Sequence, residues 1–168
     1  MTGPSYGLGA AGDRALCEQL TQDAGAPVVT ASLAILDTLR TLKVKAIAMV
    51  SPYPAWLTAR ARTYFEGSGL RVTQVVSIDE KSFRAYQVAT REVVANLKRV
   101  DPKGADAILL TGSGMRSLDA IATVSADFEI PIASANLCSA WRVLELLGGR
   151  PGADLARAAP SLAARLPG

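Results

Sequence analysis

Histidine is absent from all 168 residues. That excludes Ser-His-Asp and Cys-His triads and histidine-based zinc or iron sites. Acid–base chemistry then has to come from Cys, Tyr, Lys, Asp, Glu or bound water. Cysteine is nearly absent as well. Cys17 and Cys138 are far apart and form no CxxC pair, so a zinc ribbon and a thioredoxin motif are both excluded, and no metal ligand set is visible. Two free thiols suit a reducing compartment. Aromatic residues make up only 5% of the chain, which leaves few rings to stack on a nucleotide or FMN. No apolar run approaches the ~18 residues of a membrane span. No basic segment followed by an apolar one opens the chain. A cytoplasmic protein without a membrane partner is expected. Charge of one sign is scarce too: the net charge is +3, with Lys43, Lys45, Lys98, Arg99 and Lys103 scattered. Without a dense basic stripe, no nucleic-acid partner is expected. Asp79, Glu80, Asp101, Asp127 and Glu129 fall at loops and helix ends and make no paired-carboxylate site.

What the chain does have is apolar residues, 49% of the total, enough for one domain with a real core. Residues 1–10 are glycine-rich and read as a loop, followed by a helix over 11–24 with Leu16, Cys17 and Leu20 on one face. Residues 27–30 read as a short strand and 31–42 as a helix. A regular alternation follows: strands over 44–50, 70–76, 106–110 and 130–133, helices over 54–67, 82–100, 115–128 and 137–147. This pattern predicts an α/β fold, a parallel flavodoxin-like sheet flanked by helices with right-handed crossovers. Residues 148–168, rich in Ala, Arg and Pro, read as a loosely packed tail that Pro160 breaks or kinks. The segment before residue 44 lacks a leading strand. Residues 1–43 therefore read as the remnant of a first α/β half, 44–136 as the second half, 137–149 as a returning helix and 150–168 as tail. A truncated first half would leave apolar surface uncovered, so a homo-oligomer is a possible state.

Two strand-end loops carry most of the chemical promise. Ser51-Pro52-Tyr53 follows the apolar run 46–50, and Thr111-Gly112-Ser113-Gly114 follows 107–110. Each puts hydroxyls, backbone N–H groups and a helix start at the carboxyl end of a parallel sheet, where an anion is the natural guest. Pro52 fixes its φ, so a rigid Tyr53 hydroxyl can donate to a developing oxyanion. The alternative is a plain helix start, with Ser51 as its cap. Gly112 and Gly114 let amides approach a ligand closely, or else belong to an ordinary turn with Ser113 as cap. Thr2 and Gly3 are further carboxylate contacts, or part of a flexible terminus. Asn136 and Cys138 follow the last strand. Cys138 is either a thiol activated in a first helical turn or a small core residue. Cys17 reads as packing.

Taken together, Ala24-Gly-Ala-Pro-Val-Val-Thr, Val50-Ser-Pro-Tyr, Gly104-Ala-Asp-Ala-Ile-Leu-Leu-Thr, Met115-Arg-Ser-Leu-Asp-Ala-Ile and Ile130-Pro-Ile-Ala-Ser-Ala-Asn-Leu-Cys-Ser-Ala-Trp occur in order at suitable spacing. The chain resembles the maleate isomerase and arylmalonate decarboxylase branch of the aspartate/glutamate racemase superfamily, from about Thr2 to Gly149. The resemblance implies two similar α/β halves facing a small-acid site. It implies no cofactor, and cysteine as nucleophile or proton donor. It matches Met1-Thr2-Gly3 to one cysteine loop, Tyr53 to the family tyrosine, and Gly112 to the second cysteine. Both cysteine positions thus hold other residues. The implied activity is isomerisation, racemisation or decarboxylation of a small carboxylate or dicarboxylate ligand. Tyr53, Gly112 and Ser113 are the expected catalytic groups, and Thr2, Gly3, Ser51, Pro52, Gly114 and Asn136 the expected substrate contacts. Cys138 is a spare candidate for proton transfer. The alternatives are a non-catalytic module binding a small acid or phosphate, an inactive fragment, and a flavodoxin-like FMN binder.

Overall fold

The computed structural model describes residues 3–82 and 84–165. Among the described residues, eight α-helices and four strands follow in order: α1 (Gly3–Ala24), α2 (Ala31–Thr41), β1 (Ala46–Ser51), α3 (Ala55–Gly67), β2 (Arg71–Ser77), α4 (Thr90–Leu97), β3 (Ala107–Leu110), α5 (Leu118–Val124), β4 (Ile132–Ser134), α6 (Ala135–Leu146), α7 (Ala153–Ala158) and α8 (Pro160–Ala163). The strands form one parallel sheet in the order β2-β1-β3-β4. This is the flavodoxin-like, doubly wound α/β arrangement. The winding direction reverses between β1 and β3, and the crevice outside their carboxyl ends is the place where such sheets bind ligands.

β1 and β3 are central, so both their faces are covered and every residue is buried. Ala48, Val50, Ile108 and Leu110 point into one core with α4, α5, α7 and α8. Ile47, Met49, Ala107 and Leu109 point into the other, with α1, α2 and α3. α6 serves both: Leu137 and Trp141 face the first core, Ala135 and Cys138 the second. The register between β1 and β2 slips after Ile47, where Thr73 bulges and donates its hydroxyl to Ile47 O at 3.2 Å.

Four local expectations need correction. Residues 3–10 are helical rather than loop, broken only at Gly9 (φ 68°). Tyr6 packing among Tyr53, Tyr64 and Phe65 outweighs the poor helix propensity of the glycines. Residues 27–30 form no strand. They lead into Thr30, the N-cap of α2, whose hydroxyl accepts from Leu33 N at 3.2 Å. The long helix expected over 82–100 shrinks to a 3₁₀ turn, Ala85–Gln87, and α4. The Asp79 carboxylate accepts from the N–H groups of Lys81 and Ser82 and from the Ser82 hydroxyl, a local bonding pattern that competes with a helix. The supposed loose tail folds as α7 and α8. Leu155, Ala158, Ala159 and Leu162 are buried, and Pro160 starts α8 instead of breaking it. Among the described residues, no helix is long and apolar enough to cross a membrane.

Candidate active site

The loop after β1 is held by a closed ring of hydrogen bonds. Tyr53 N donates to Ser51 Oγ (3.3 Å), Ser51 Oγ lies 2.8 Å from Thr58 Oγ1, and Thr58 Oγ1 donates to Tyr53 O (3.1 Å). Ser51 is therefore turned inward and stiffens the turn; it is not the helix cap, a place taken by Pro54. The neighbouring tips are tied in as well. Thr111 donates both its N–H (3.0 Å) and its hydroxyl (3.3 Å) to Val50 O. Ile78 N donates to Ser51 O at 2.9 Å, and Ala55 N to Glu80 O at 3.1 Å.

The two loops singled out in the sequence meet. Gly112 has φ 86°, a left-handed conformation that favours glycine. A Cβ placed on it would stand 2.6 Å from Pro52 Cγ and 3.6 Å from Tyr53 Cζ. The hydroxyl-bearing end of the Tyr53 ring thus lies directly over the glycine. Tyr53 itself is 3% exposed. Gly114 is covered from the other side: its Cβ position is 3.1 Å from Tyr86 Cε1 and 3.3 Å from Ala85 Cβ. Ser113 is half-buried between them.

On the β4 side, Asn136 donates to Met115 O at 3.1 Å, and Ser117 donates to Ser134 Oγ at 3.1 Å. Ser134 caps α6 by accepting from Leu137 N at 3.2 Å. Ser117, not Ser113, stands at the N-cap position of α5. Gly3, at the start of α1, is close to Leu57 on α3. Thr2 lies outside the described residues.

Cys138 is not placed to act. It sits fully enclosed in the core, and burial pushes its thiol up to about 12. Its position in α6 does not activate it, because desolvation outweighs the helix terminus. Cys17 is core packing, as read. Among the described residues, no group of three or more His, Cys, Asp or Glu is arranged to hold a metal ion.

The residues missed by sequence reasoning belong to the strap between β2 and α4. Arg84 bridges Asp79 (2.9 Å) and Glu92 (2.8 Å), and Glu92 also accepts from Ala89 N. The Ser82 hydroxyl, then the Lys81 N–H and Arg84, hold the Asp79 carboxyl well below its usual range. Arg84 does the same for Glu92. This strap presents Tyr86 to Gly114. Nothing in the periodicity marks Tyr86, which is otherwise an exposed ring.

The arylmalonate decarboxylase family profile matches residues 2–157. The chain belongs to the arylmalonate decarboxylase family. Among the family's relatives, it is 30% identical to the maleate isomerase of Geobacillus stearothermophilus over 135 residues, 79% of this chain and 54% of that enzyme. It is 30% identical to the arylmalonate decarboxylase of Bordetella bronchiseptica over 158 residues, 90% of this chain and 66% of that enzyme. The chain spans about half the length of the maleate isomerases it matches. A crystal structure of arylmalonate decarboxylase superposes with a TM-score of 0.77 at 29% identity, covering 90% of this chain and 68% of that one. The maleate isomerase Iso from Pseudomonas putida S16 gives 0.78 at 25% identity, covering 86% and 61%.

Proposed function

We propose that this chain serves cofactor-independent isomerisation, racemisation or decarboxylation of a small carboxylic or dicarboxylic acid, of the maleate isomerase or arylmalonate decarboxylase type. The observation that carries the reading is the meeting of Tyr53 and Gly112 at the reversal point of the sheet. In this reading a carboxylate is held there by the Tyr53 phenol and the backbone N–H groups of 112–114. When the bond to the α-carbon breaks, as CO₂ leaves or a proton passes to a water molecule, its electron pair spreads into the remaining carboxylate as a planar enediolate. Donors already aimed at that oxyanion are each worth roughly 3–4 kcal/mol in a dry site. Ser51, Pro52 and Thr58 act by holding Tyr53 stiff. Asn136 holds the loop at Met115, and Ser113 and Gly114 complete the cradle.

With no side chain on Gly112, the proton returned to the α-carbon comes from solvent or from a neighbouring hydroxyl such as that of Ser113. A positioned acid or base is worth about 10²–10⁴ in rate, so turnover is expected to be slower by that order than in a thiol-bearing site. The test is to incubate the chain with maleate, malonate and phenylmalonate in D₂O, with no cofactor added, and follow products and α-deuteration by NMR. Conversion or exchange that Tyr53→Phe lowers supports the reading. Saturable binding without exchange makes the chain a binding module instead, and no binding removes the acid site altogether.

A further inference from the structure

A carboxylate is sealed inside the helical layer behind the site. Asp13, in α1, is 0% exposed, and no ion pair reaches it among the described residues. Its Oδ2 accepts from Thr30 Oγ1 at 2.7 Å and from Tyr64 Oη at 2.8 Å, while Oδ1 has no hydrogen-bond partner among the described residues. A buried carboxylate so sparsely satisfied is costly, and packing alone would be better served by an apolar residue. Its contacts lead toward the site. The Tyr64 ring stands edge-on to Tyr6 with centroids 5.3 Å apart, and Tyr6 stands edge-on to Tyr53 at 6.2 Å. Phe65 braces Tyr6 at 5.8 Å and Tyr64 at 5.4 Å. Edge-to-face pairs keep a preferred tilt, so a ring fixed at one end constrains the next.

We propose that Asp13 is a positioning residue for Tyr53: by pinning the hydroxyl of Tyr64 it sets the tilt of Tyr6, and through that ring the seat of the phenol above Gly112. The Thr30 contact extends the hub to the cap of α2, so one carboxylate ties α1, α2 and α3 behind the site. The consequence for ligand binding rests on the acid-site reading above; the coupling between Asp13 and Tyr53 does not.

The chain has four tyrosines, so each ¹³Cζ resonance can be assigned by Tyr→Phe substitution in protein labelled at that carbon. Tyr64→Phe keeps the ring but removes the bond to Asp13. It is expected to move the Tyr53 resonance and leave Tyr86, which lies outside the cluster, where it was. Maleate binding is expected to weaken by up to about tenfold, the scale of one lost hydrogen bond. Asp13→Leu is expected to act alike, whereas Asp13→Asn, which keeps an acceptor for both hydroxyls, retains the native resonance and affinity. In a Tyr53→Phe background, Tyr64→Phe is expected to weaken binding no further. A Tyr53 resonance unmoved by Tyr64→Phe overturns the proposal, as does a loss of affinity that simply adds in the double variant. If Asp13→Leu does not fold, Tyr64→Phe alone decides. If the native chain does not bind maleate, the acid-site reading fails, and the resonances still settle the coupling.

Discussion

The pyrrolidine ring of Pro52 occupies the space that a side chain on Gly112 would need, with Cγ 2.6 Å from the Cβ position. The fit is reciprocal: the proline ring can lie there only because residue 112 has no side chain.

Gly112→Ala is therefore expected to destabilise the fold. Overpacking costs about 1–3 kcal/mol, and an L-residue in the left-handed region about 1–2 kcal/mol more. Gly112→Cys, which puts a thiol at the place where the family resemblance expects one, is expected to suffer the same loss. Pro52→Ala in either background is expected to recover the packing part only. Urea denaturation of the four variants measures this, and a Gly112→Ala protein as stable as the native one contradicts the fit.

Tyr53→Phe tests the phenol without disturbing its ring. Loss of a hydrogen bond to a charged ligand costs about 1.5–3 kcal/mol, or roughly 10–100-fold in affinity. Calorimetry with maleate and malonate is expected to show that loss, with the melting temperature little changed. Equal affinity would take Tyr53 out of the site.

Leu109 is fully buried in the central strand β3. Leu109→Ala is expected to cost about 2–5 kcal/mol, the range for a core cavity. A change under about 0.5 kcal/mol, typical of a surface position, would mean that β3 is not central.

Cys138 gives a pH dependence of definite sign. In the unfolded chain a thiol loses its proton near pH 8.5, whereas in the fold it holds it up to about 12. The folded state thus binds more protons between those values, and stability is expected to fall as pH rises through that window. The limiting slope is about 1.4 kcal/mol per pH unit for one group. Tyr64 adds to the same trend from about pH 10, because burial, then Asp13, raise its phenol far above the usual value. Cys138→Ala is expected to flatten the alkaline limb of a pH–stability curve. Native protein at neutral pH is expected to leave Cys138 unmodified by a thiol reagent that reacts fully in urea; prompt labelling without urea would refute its enclosure.

The four strands and the helices that alternate with them were legible in the sequence because short segments rich in apolar and β-branched residues, each ended by a hydroxyl residue, have few other uses. That the loops of Tyr53 and Gly112 lie at the same end of the sheet was legible too, since each follows a strand of one parallel sheet; that β1 and β3 are neighbours came from the structure. What sequence spacing did not show was decided by individual side-chain contacts. Tyr6 makes a helix of a glycine-rich segment, Thr30 is a cap rather than part of a strand, and Asp79 interrupts the helix expected after residue 82. Tyr86 reaches Gly114 only because Arg84 locks the strap, and no local pattern encodes that bridge. Cys138 was misleading as a candidate because its place in a helix says nothing about how completely the surrounding core encloses it.

α7 packs against α5 and α8 against α7, and α5 begins just beyond the glycine loop. α7 therefore acts as a backstop behind the crevice. A protease nick, a bulky fusion or a trimmed tail there would let the loop recoil from behind, and ligand retention would suffer while every residue lining the crevice stayed intact.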